Sequence, residues 1–355
     1  MNFVEPSATR ILEHDLQKKV EMAYRICYKS EGKMTDTSAM EFLPRLIYTD
    51  KKNKHWSPLE HARIDIILPT SWERLIQIWK DKKTHFLTFG YDKTKSWKFR
   101  VVANFRTWME LITDPDFSFD PKKRSAYSEN PMHDLDTDGF GNYANIPTLG
   151  EAMIVLQNAL AEKYPAVFRP SDRPSPFPEP ELEIMEDENY MTYHIVTTRD
   201  ILQELARHRS MSFSVESTRY CNYSKRGMTF TVPRPYNWTE FYDWEHQRWN
   251  EWTGLDFDSV KKNGGYFLEA FLDECKHAEE LYTQLTNQGA KPQMARMILP
   301  GALKTELFMT GSIENWMAFL ALRLDEAAHP QIRILAEAIW ADLKKNDFTQ
   351  PNQQE

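Results

Sequence analysis

Apolar side chains recur every three to four residues in much of the chain, which is the spacing of one face of a helix. In the first such segment Val20, Ala23, Tyr24 and Cys27 share a face. Proline and glycine mark the borders of later helices, because proline suits a first helical turn and glycine suits the residue after the last one. The predicted helices are a segment around 20–27, then 38–48, a helix capped by Thr198, about 265–288 before Gly289, 292–299 from Pro292, a segment capped by Ser312, and a last helix from Pro330.

Alternation of apolar and polar residues predicts strands in three segments, 62–68, 190–197 and 303–309. The second of these leads into Thr198, a residue type that caps helices, and Asp200 follows in the first helical turn. We therefore expect a helix that delivers Arg207 and Arg209 at its C-terminal end. Residues 210–220 would then lie largely on the following loop.

The pattern is weakest between residues 70 and 188. An Asp-, Gly- and Asn-rich patch lies near 134–145, and a proline-rich stretch covers 169–180. So many prolines can sustain neither a helix nor a central strand, because each one lacks a backbone N–H. The stretch is therefore predicted to be a linker or an extended surface arm.

Composition sets limits on the function. The chain of 355 residues has a formal net charge of -8 and a pI near 5.8, which argues against a broad nucleic-acid-binding surface but allows a nucleotide pocket. No apolar run approaches the roughly 20 residues of a membrane span, and no secretory signal is visible at the N-terminus. Cys27, Cys221 and Cys275 have unrelated spacings, which favours a reducing cytoplasm over a disulfide framework.

The segment 207–220 gathers three arginines, one histidine and four serines. Against an acidic background, such a cluster of cations indicates a local anion site. The planar guanidinium matches phosphate and carboxylate groups, and serine hydroxyls can fill the remaining acceptor positions. A solvated basic loop is the alternative interpretation.

Arg323 is a second, independent signal. It lies on the same predicted helical face as Trp316, Phe319 and Leu320. A cation buried there without a partner is costly, so we expect an anionic group beside it. The alternative is an arginine at the helix end whose stem covers apolar surface while its head stays in water.

The segment 55–61 contains two histidines. His55 and His61, with Glu60 between them, could bind a metal, but neither a closer histidine pair nor a cysteine pair supports such a site. Packing around Pro58 explains the segment more simply. We therefore predict no metal site.

Two other patterns are set aside. Gly139-Phe140-Gly141 begins a pattern similar to a dinucleotide fingerprint, but acidic residues and not a strand precede it. Cys221 lies near cations that would lower the pKa of a nucleophilic thiol. Its neighbours Tyr220 and Asn222 differ from the Pro-Cys-His-like motif of cysteine-dependent thymidylate synthases, so we interpret Cys221 as a packed residue.

The pattern Arg207-His208-Arg209, seven residues, Ser217 and then Arg219-Tyr220 resembles the signature of the flavin-dependent thymidylate synthases. The resemblance covers three blocks, at about 15–68, 190–235 and 288–345. It implies an α+β fold with a central, mostly antiparallel sheet flanked by helices. Residues 1–355 would form one domain with a long insertion at about 70–188, which includes a proline-rich arm at 170–180, as in longer, phage-like members.

The resemblance also implies a reaction. It is the methylation of deoxyuridylate (dUMP) at C5, with FAD as cofactor, methylenetetrahydrofolate as carbon donor and NADPH as reductant. The implied protein is a cytoplasmic homotetramer that binds neither a membrane nor polymeric nucleic acid. The flavin would be held by His55, Ser57, Arg207, His208, Arg209 and Glu216. The nucleotide would be held by Glu204, Arg207, Ser217, Thr218, Arg219, Arg296 and Arg323, of which Ser217, Arg219 and Arg323 would serve catalysis.

Three positions depart from the family pattern. Glu204 stands where many members have glutamine, Ser214-Val215 where many have Asn-Glu, and Ser312-Ile313-Glu314 where many have an Asn-x-Arg pair that contacts flavin. These departures leave two alternatives. One is a related flavin-dependent enzyme that modifies a pyrimidine nucleotide differently, for instance by hydroxymethylation. The other is a catalytically silent nucleotide-binding relative.

Overall fold

The described residues of this computed structural model are 1–49, 55–69, 72, 88–92, 98–113, 149–173, 182–231 and 265–345. They divide into two units. The first comprises Met1–Leu12, Ala23–Gly32 and Met191–Glu355, and the second comprises Glu13–Met22 and Lys33–Tyr190. The single domain expected for 1–355, with its insertion, stays a prediction.

Strands and helices are numbered in chain order. The strands are β1 (Asn2–Val4), β2 (Ser7–Arg10), β3 (Arg63–Leu68), β4 (Thr88–Asp92), β5 (Lys98–Asn104), β6 (Glu183–Glu186), β7 (Tyr190–Thr198), β8 (Ser212–Val215), β9 (Thr229–Thr231) and β10 (Lys304–Ser312). The α-helices are α1 (Leu16–Tyr28), α2 (Ser38–Tyr48), α3 (Phe105–Thr113), α4 (Leu149–Lys163), α5 (Arg199–Leu205), α6 (Gly265–Asn287), α7 (Pro292–Ala295), α8 (Ile313–Arg323) and α9 (Pro330–Lys345). Short 3-10 helices cover Glu31–Lys33, Ser57–His61 and Arg296–Ile298.

The first unit contains a four-stranded sheet in the order β2, β7, β10, β8. β2 runs antiparallel to β7, and β8 runs antiparallel to β10 with Ser214 opposite Phe308. Helices α5, α8 and α9 pack with this sheet around the rings of Tyr193 and Trp316, whose centroids are 4.8 Å apart. Each fully buried large side chain of this core contributes about 1.5–3 kcal/mol of transfer free energy. The sheet and its helices therefore hold both ends of α8 in place.

A smaller core of the first unit lies between α6 and the parallel pair of β1 and β9. The buried residues at its centre are Phe3, Cys221, Tyr223, Met228, Phe230, Leu272, Cys275, Tyr282, Ala295 and Leu303. Because Cys221 and Tyr223 belong to this core, the segment that follows the arginine-rich run is tied to it by packing.

The second unit contains an antiparallel four-stranded sheet in the order β4, β5, β3, β6. Ile66 of β3 lies opposite Val101 of β5 on one side and Ile184 of β6 on the other. All the partners of β3 come from the part of the chain predicted to be an insertion. Buried aromatic residues of the same part, among them Phe105 and Phe168, contact each other at 5.3 Å between ring centroids.

The α+β class predicted from the sequence is confirmed, although the described strands are divided over two four-stranded sheets and the pair of β1 and β9. The segments predicted at 20–27, 38–48, 62–68, 190–197, 265–288 and from Pro330 form α1, α2, β3, β7, α6 and α9. Gly289, the predicted terminator of α6, has a φ of 95°. No helix among the described residues is long and apolar enough to cross a membrane.

Of two predictions near the arginine-rich run, one was wrong and the other holds for most of the run but not for all of it. The helix α5 ends at Leu205, so Arg207 and Arg209 follow it and do not belong to its last turn. Part of the run is a strand and not a loop, because residues 212–215 pair with β10. The serines are the buried members of this strand, with Ser212 at 6% and Ser214 at 2% exposure. Their hydroxyls therefore lie inside the unit.

Some predictions lie outside the described residues. These are the patch near 134–145 with its glycine pattern and residues 174–180 of the proline-rich arm.

We expect Gly311→Ala to destabilise the protein. A Cβ at this position of β10 would overlap Met211 Sδ and lie 3.0 Å from Asn315 Cβ. Overpacking of this kind typically costs about 1–3 kcal/mol. Urea denaturation should therefore show a lower midpoint than in the wild type. Gly32→Ala is the control, because a Cβ there meets no heavy atom within 4 Å; equal midpoints for both variants would contradict the described packing.

Candidate active site

Two segments of the first unit bring Arg323, Glu204 and His208 together. Arg323 is the last residue of α8, and Glu204 lies at the end of α5 with His208 in the turn after it. The start of α8 is fixed by a capping box in which the Asn315 N–H donates to Ser312 Oγ at 3.4 Å. The cap predicted for Ser312 is confirmed.

The guanidinium of Arg323 is oriented by three contacts. Its Nη1 donates to Glu204 Oε2 at 3.0 Å, its Nη2 to the Glu204 carbonyl at 3.2 Å, and its Nε to His208 Nε2 at 3.0 Å. The side chain is 19% exposed. The anionic partner expected for this cation is therefore Glu204, and the arginine lies at a helix end with its head held by the protein.

His208 is a neutral histidine in this arrangement. Because Arg323 Nε donates to Nε2, that nitrogen accepts, and the ring proton must lie on Nδ1. Burial and, next, the charge of Arg323 lower the pKa of His208 from 6.5 to about 4. The ring also packs edge-on against Phe319 at 4.9 Å between centroids. His208 is therefore fixed as a hydrogen-bond acceptor for the guanidinium at neutral pH.

A cavity of about 570 Å³ opens beside this group. Its lining combines two arginines, a histidine and two glutamates with small apolar residues: Glu204, Arg323, Glu326, Ala327, Ala328, His329, Pro330 and Arg333. The sequence analysis missed His329 and Arg333. The one available signal was their place around Pro330, at the start of the last predicted helix.

The second group of predicted site residues lies on the turn 217–219, directly after β8. The Arg219 N–H donates to Ser217 Oγ at 3.3 Å, and the Cys221 N–H donates to the Ser217 carbonyl at 3.0 Å. Arg296 reaches this turn from the 3-10 helix after α7, where its Nη1 donates to Thr218 Oγ1 at 3.3 Å. Thr218 is buried, whereas Arg219 and Arg296 are exposed. The structure thus brings together four of the seven residues predicted to bind the nucleotide.

Behind the turn lies a cluster of buried and half-buried ionisable side chains that was not predicted from the sequence. Lys304 Nζ lies 3.2 Å from Glu216 Oε2 and 2.5 Å from Glu306 Oε1, and Lys29 Nζ lies 2.5 Å from the same Glu306 oxygen. His194 Nε2 completes the cluster at 3.1 Å from Glu306 Oε2. Glu216, expected to contact flavin, is 4% exposed and belongs to this cluster. Its flavin contact stays a prediction.

Pairing determines the charge states in this cluster. Burial alone would raise the pKa of Glu306, but hydrogen bonds from His194, Lys29 and Lys304 outweigh burial and hold the pKa of this carboxyl well below its usual range. Burial alone would lower the pKa of Lys304, but the two glutamates raise it. Both groups are therefore charged at neutral pH.

Arg207 and Arg209 are exposed after the end of α5. Within the described ranges neither guanidinium forms an ion pair, so their donors are available to an anionic group. Such a donor set fits the pyrophosphate of a dinucleotide cofactor.

His55 and Ser57 belong to the second unit, at the 3-10 helix Ser57–His61. Both are half-buried, and burial lowers the pKa of His55. Their contact with flavin stays a prediction. His61 is fully buried, and burial together with Lys19 lowers its pKa to about 3. The packing interpretation of this segment is confirmed for His61.

Cys221 is a packed residue, as predicted. It is 5% exposed within the smaller core of the first unit. Burial, followed by the charge of Glu216, raises the pKa of its thiol to about 11. The thiol is therefore protonated at neutral pH, and the geometry does not support a cysteine nucleophile.

The described structure is thus an α+β fold with two groups of polar residues that contain arginines, one around Arg323 and one at the turn after β8. Residues 185–347 match the family described as Thymidylate synthase complementing protein. A flavin-dependent thymidylate synthase of Synechocystis sp. is 32% identical over 152 residues, which are 42% of this chain and 63% of the relative. One of Campylobacter jejuni is 30% identical over 159 residues, which are 45% of this chain and 67% of the relative.

The chain belongs to the flavin-dependent thymidylate synthase family. It spans between about half and two thirds of the length of the relatives it matches. Among solved structures, a UMP/dUMP methylase PolB from Streptomyces cacaoi bound with 5-Br dUMP is 25% identical, with 55% of this chain and 77% of that chain covered and a TM-score of 0.33.

We expect Arg323→Met to raise the pKa of His208 from about 4 towards 6.5, because the variant removes the cation but leaves most of the burial. The NMR titration of the His208 ring measures this shift. Arg333→Met is the control, since Arg333 lines the same cavity but donates to the Glu326 carbonyl. An unchanged titration in Arg323→Met would contradict the contact.

The same shift in the pKa of His208 determines how the stability of the folded state depends on pH. The folded state binds the His208 proton more weakly than the unfolded state does. Wild-type stability should therefore fall as the pH drops from 6.5 to about 4, and this loss should be smaller in Arg323→Met.

Proposed function

We propose that the chain is a flavin-dependent thymidylate synthase that methylates dUMP at C5. The observation that carries the proposal is the guanidinium of Arg323, which Glu204 and His208 hold in place at the edge of a cavity of about 570 Å³. The match of residues 185–347 to the family supports it. The assignments of the reaction, its substrates and its partners are all part of this proposal.

Arg323 would activate the pyrimidine. A reaction at C5 needs that carbon to become nucleophilic, and Cys221 does not supply a thiolate to attack the ring. The contacts of Arg323 with Glu204 and His208 within the described residues use three of its five N–H groups, so donors remain for a carbonyl oxygen. A fixed donor at that oxygen stabilises the negative charge that develops in the transition state, without reorganisation.

The turn 217–219 and Arg296 would bind the phosphate of dUMP. Arg219 and Arg296 are exposed guanidinium groups, and Arg296 already contacts the turn through Thr218. Charged hydrogen bonds to a phosphate are about twice as strong as neutral ones, so two arginines at one turn favour a nucleotide over a nucleoside. Ser217 and Thr218 would add hydroxyl donors.

Arg207 and Arg209, with His208 between them, would hold FAD. The donor set fits the charge of the cofactor, and His55, Ser57 and Glu216 are the further residues proposed for it. Glu314 stands exposed in the first turn of α8, where many members of the family have an arginine, so Arg207 and Arg209 would carry most of the pyrophosphate contacts. When bound, reduced flavin would supply the hydride, with NADPH as reductant and methylenetetrahydrofolate as carbon donor.

The proposal also includes the cellular compartment and the oligomeric state of the protein. The three cysteines are free and buried, as expected for a protein of the reducing cytoplasm. A homotetramer is proposed from the family resemblance. Neither a membrane nor polymeric nucleic acid is needed for this reaction.

A product assay tests the function. We expect the purified protein to carry a flavin absorption spectrum. With dUMP, methylenetetrahydrofolate and NADPH it should form thymidylate, identified by mass spectrometry. A product heavier by one oxygen atom would support hydroxymethylation instead. Bound nucleotide without any product, in a flavin-loaded preparation, would indicate a catalytically silent relative.

We expect Arg323→Ala to lose most turnover while bound flavin stays unchanged. Loss of a charged donor that acts on the transition state costs about 2–4 kcal/mol, or roughly thirty- to a thousandfold in rate. Arg323→Lys should rescue little, because a point charge cannot replace a planar fork. Single-turnover kinetics measures both variants.

Cys221→Ala is the control for these variants, and it should retain most of the activity. Wild-type rates in Arg323→Ala, or a loss of activity confined to Cys221→Ala, would refute the assigned roles.

A further inference from the structure

Lys29 has a backbone conformation that its side chain disfavours. It follows α1 directly with a φ of 52°, in the left-handed region that suits glycine. The helix end closes around it, since the Ser30 N–H donates to the Arg25 carbonyl at 3.2 Å and the Lys29 N–H to the Ile26 carbonyl at 3.4 Å. Because glycine would avoid this backbone strain, a lysine at the position indicates that the lysine side chain has a function.

The ammonium of Lys29 reaches the buried carboxylates. Its Nζ lies 2.5 Å from Glu306 Oε1, 3.7 Å from Glu216 Oε2 and 4.0 Å from Glu31 Oε1. The Lys29 side chain is only 16% exposed, and that of Glu216 only 3%. Lys304 contacts the same two carboxylates, so two cations face two anions in a site shielded from water. Glycine at position 29 would relax the backbone but remove one of these cations.

The backbones of Glu306 and of the end of α1 hold the start of the turn 217–219. The Glu216 N–H donates to the Glu306 carbonyl at 2.8 Å, and the Ser217 N–H donates to the Cys27 carbonyl at 3.0 Å. The carbonyl of Lys29 accepts from the Arg226 guanidinium at 3.4 Å. The start of the turn is thus fastened to β10 through Glu216 and to the end of α1 through Ser217, and Arg226 binds the same helix end from further along the chain.

We propose that Lys29 is a positioning residue for nucleotide binding. It fixes Glu216 and Glu306, and through them the backbone of the turn whose Ser217 and Arg219 meet the phosphate. This inference rests on the proposed function for the identity of the nucleotide. The fixing of the turn itself is a property of the protein without ligand.

The variants Lys29→Gly, Lys29→Met and Lys29→Arg test this role. Lys29→Gly relieves the backbone strain and removes the charge, Lys29→Met removes the charge alone, and Lys29→Arg keeps a cation. Lys18→Met is the matched control, because Lys18 belongs to the same helix and pairs at 3.4 Å with the exposed Asp36. Three measurements are made on each protein: hydrogen exchange of the Glu216 and Ser217 amides without ligand, affinity for dUMP by calorimetry, and melting temperature.

We expect the two amides to exchange about five- to thirtyfold faster in Lys29→Gly and Lys29→Met, and the dissociation constant for dUMP to rise by a similar factor. Lys29→Arg and Lys18→Met should behave like the wild type. The melting temperature of Lys29→Gly should stay close to the wild-type value, because relief of strain offsets part of the lost pairing.

Wild-type exchange rates in both uncharged variants would overturn the proposal. Faster exchange with unchanged dUMP affinity would also overturn it, since the turn would then need no fixing. If the wild type itself does not bind dUMP, the proposed function fails, and the exchange rates still decide whether Lys29 fixes the turn.

Discussion

Two carboxylates, the buried Glu216 and the half-buried Glu306, lie beside the turn that carries Ser217 and Arg219, and the local structure depends on their pairing. A carboxylate taken out of water costs several kcal/mol unless cations and hydrogen bonds compensate it. Lys304 provides part of this compensation from β10 and Lys29 provides part from the end of α1. The requirement joins a helix end, a strand and the signature turn into one arrangement, although these segments are far apart in the chain.

The same principle acts at Arg323. This arginine extends from the end of a helix in which Trp316, Phe319 and Leu320 are buried, and Glu204 of α5 supplies both a carboxylate and a carbonyl oxygen to it. His208 accepts a hydrogen bond from Nε of this guanidinium and stays neutral, because burial and the adjacent cation lower its pKa. In an acidic chain, cations that are held in fixed positions can bind anionic ligands locally. The proposed role of the candidate site depends on this property.

Local patterns predicted the helices and strands whose periodicity continues over several turns. Residues 38–48 and the segment from Pro330 are examples, because their apolar faces and border residues agree. β8 was missed because its buried side chains are serines, Ser212 and Ser214, so the strand shows the reverse of the expected polarity. The strands β5 and β6 were missed because their partner β3 comes much earlier in the chain, and β4 was missed with them because it is identified by its pairing with β5.

The residues of the candidate site also fall into those that local sequence signals predicted and those that only the fold reveals. Arg323 was found from its helical face, and the segment 207–220 from its motif, since both are local signals. The side chains that contact these residues could not be predicted from local signals. Neither Glu204 beside Arg323 nor Lys29 beside Glu306 follows from spacing, because folding brings them together. Arg333 and His329 were missed for a similar reason, as they reach the cavity only through the packing of α9.

The central claim is that two groups of arginines recognise a phosphorylated pyrimidine. Calorimetric titration with dUMP and with deoxyuridine, which lacks the phosphate, tests it most directly. We predict that dUMP binds roughly a hundredfold more tightly than deoxyuridine, because deoxyuridine cannot form the two charged hydrogen bonds that the phosphate would accept from Arg219 and Arg296. Added salt should reduce this difference. Equal affinities for the two ligands would contradict the account.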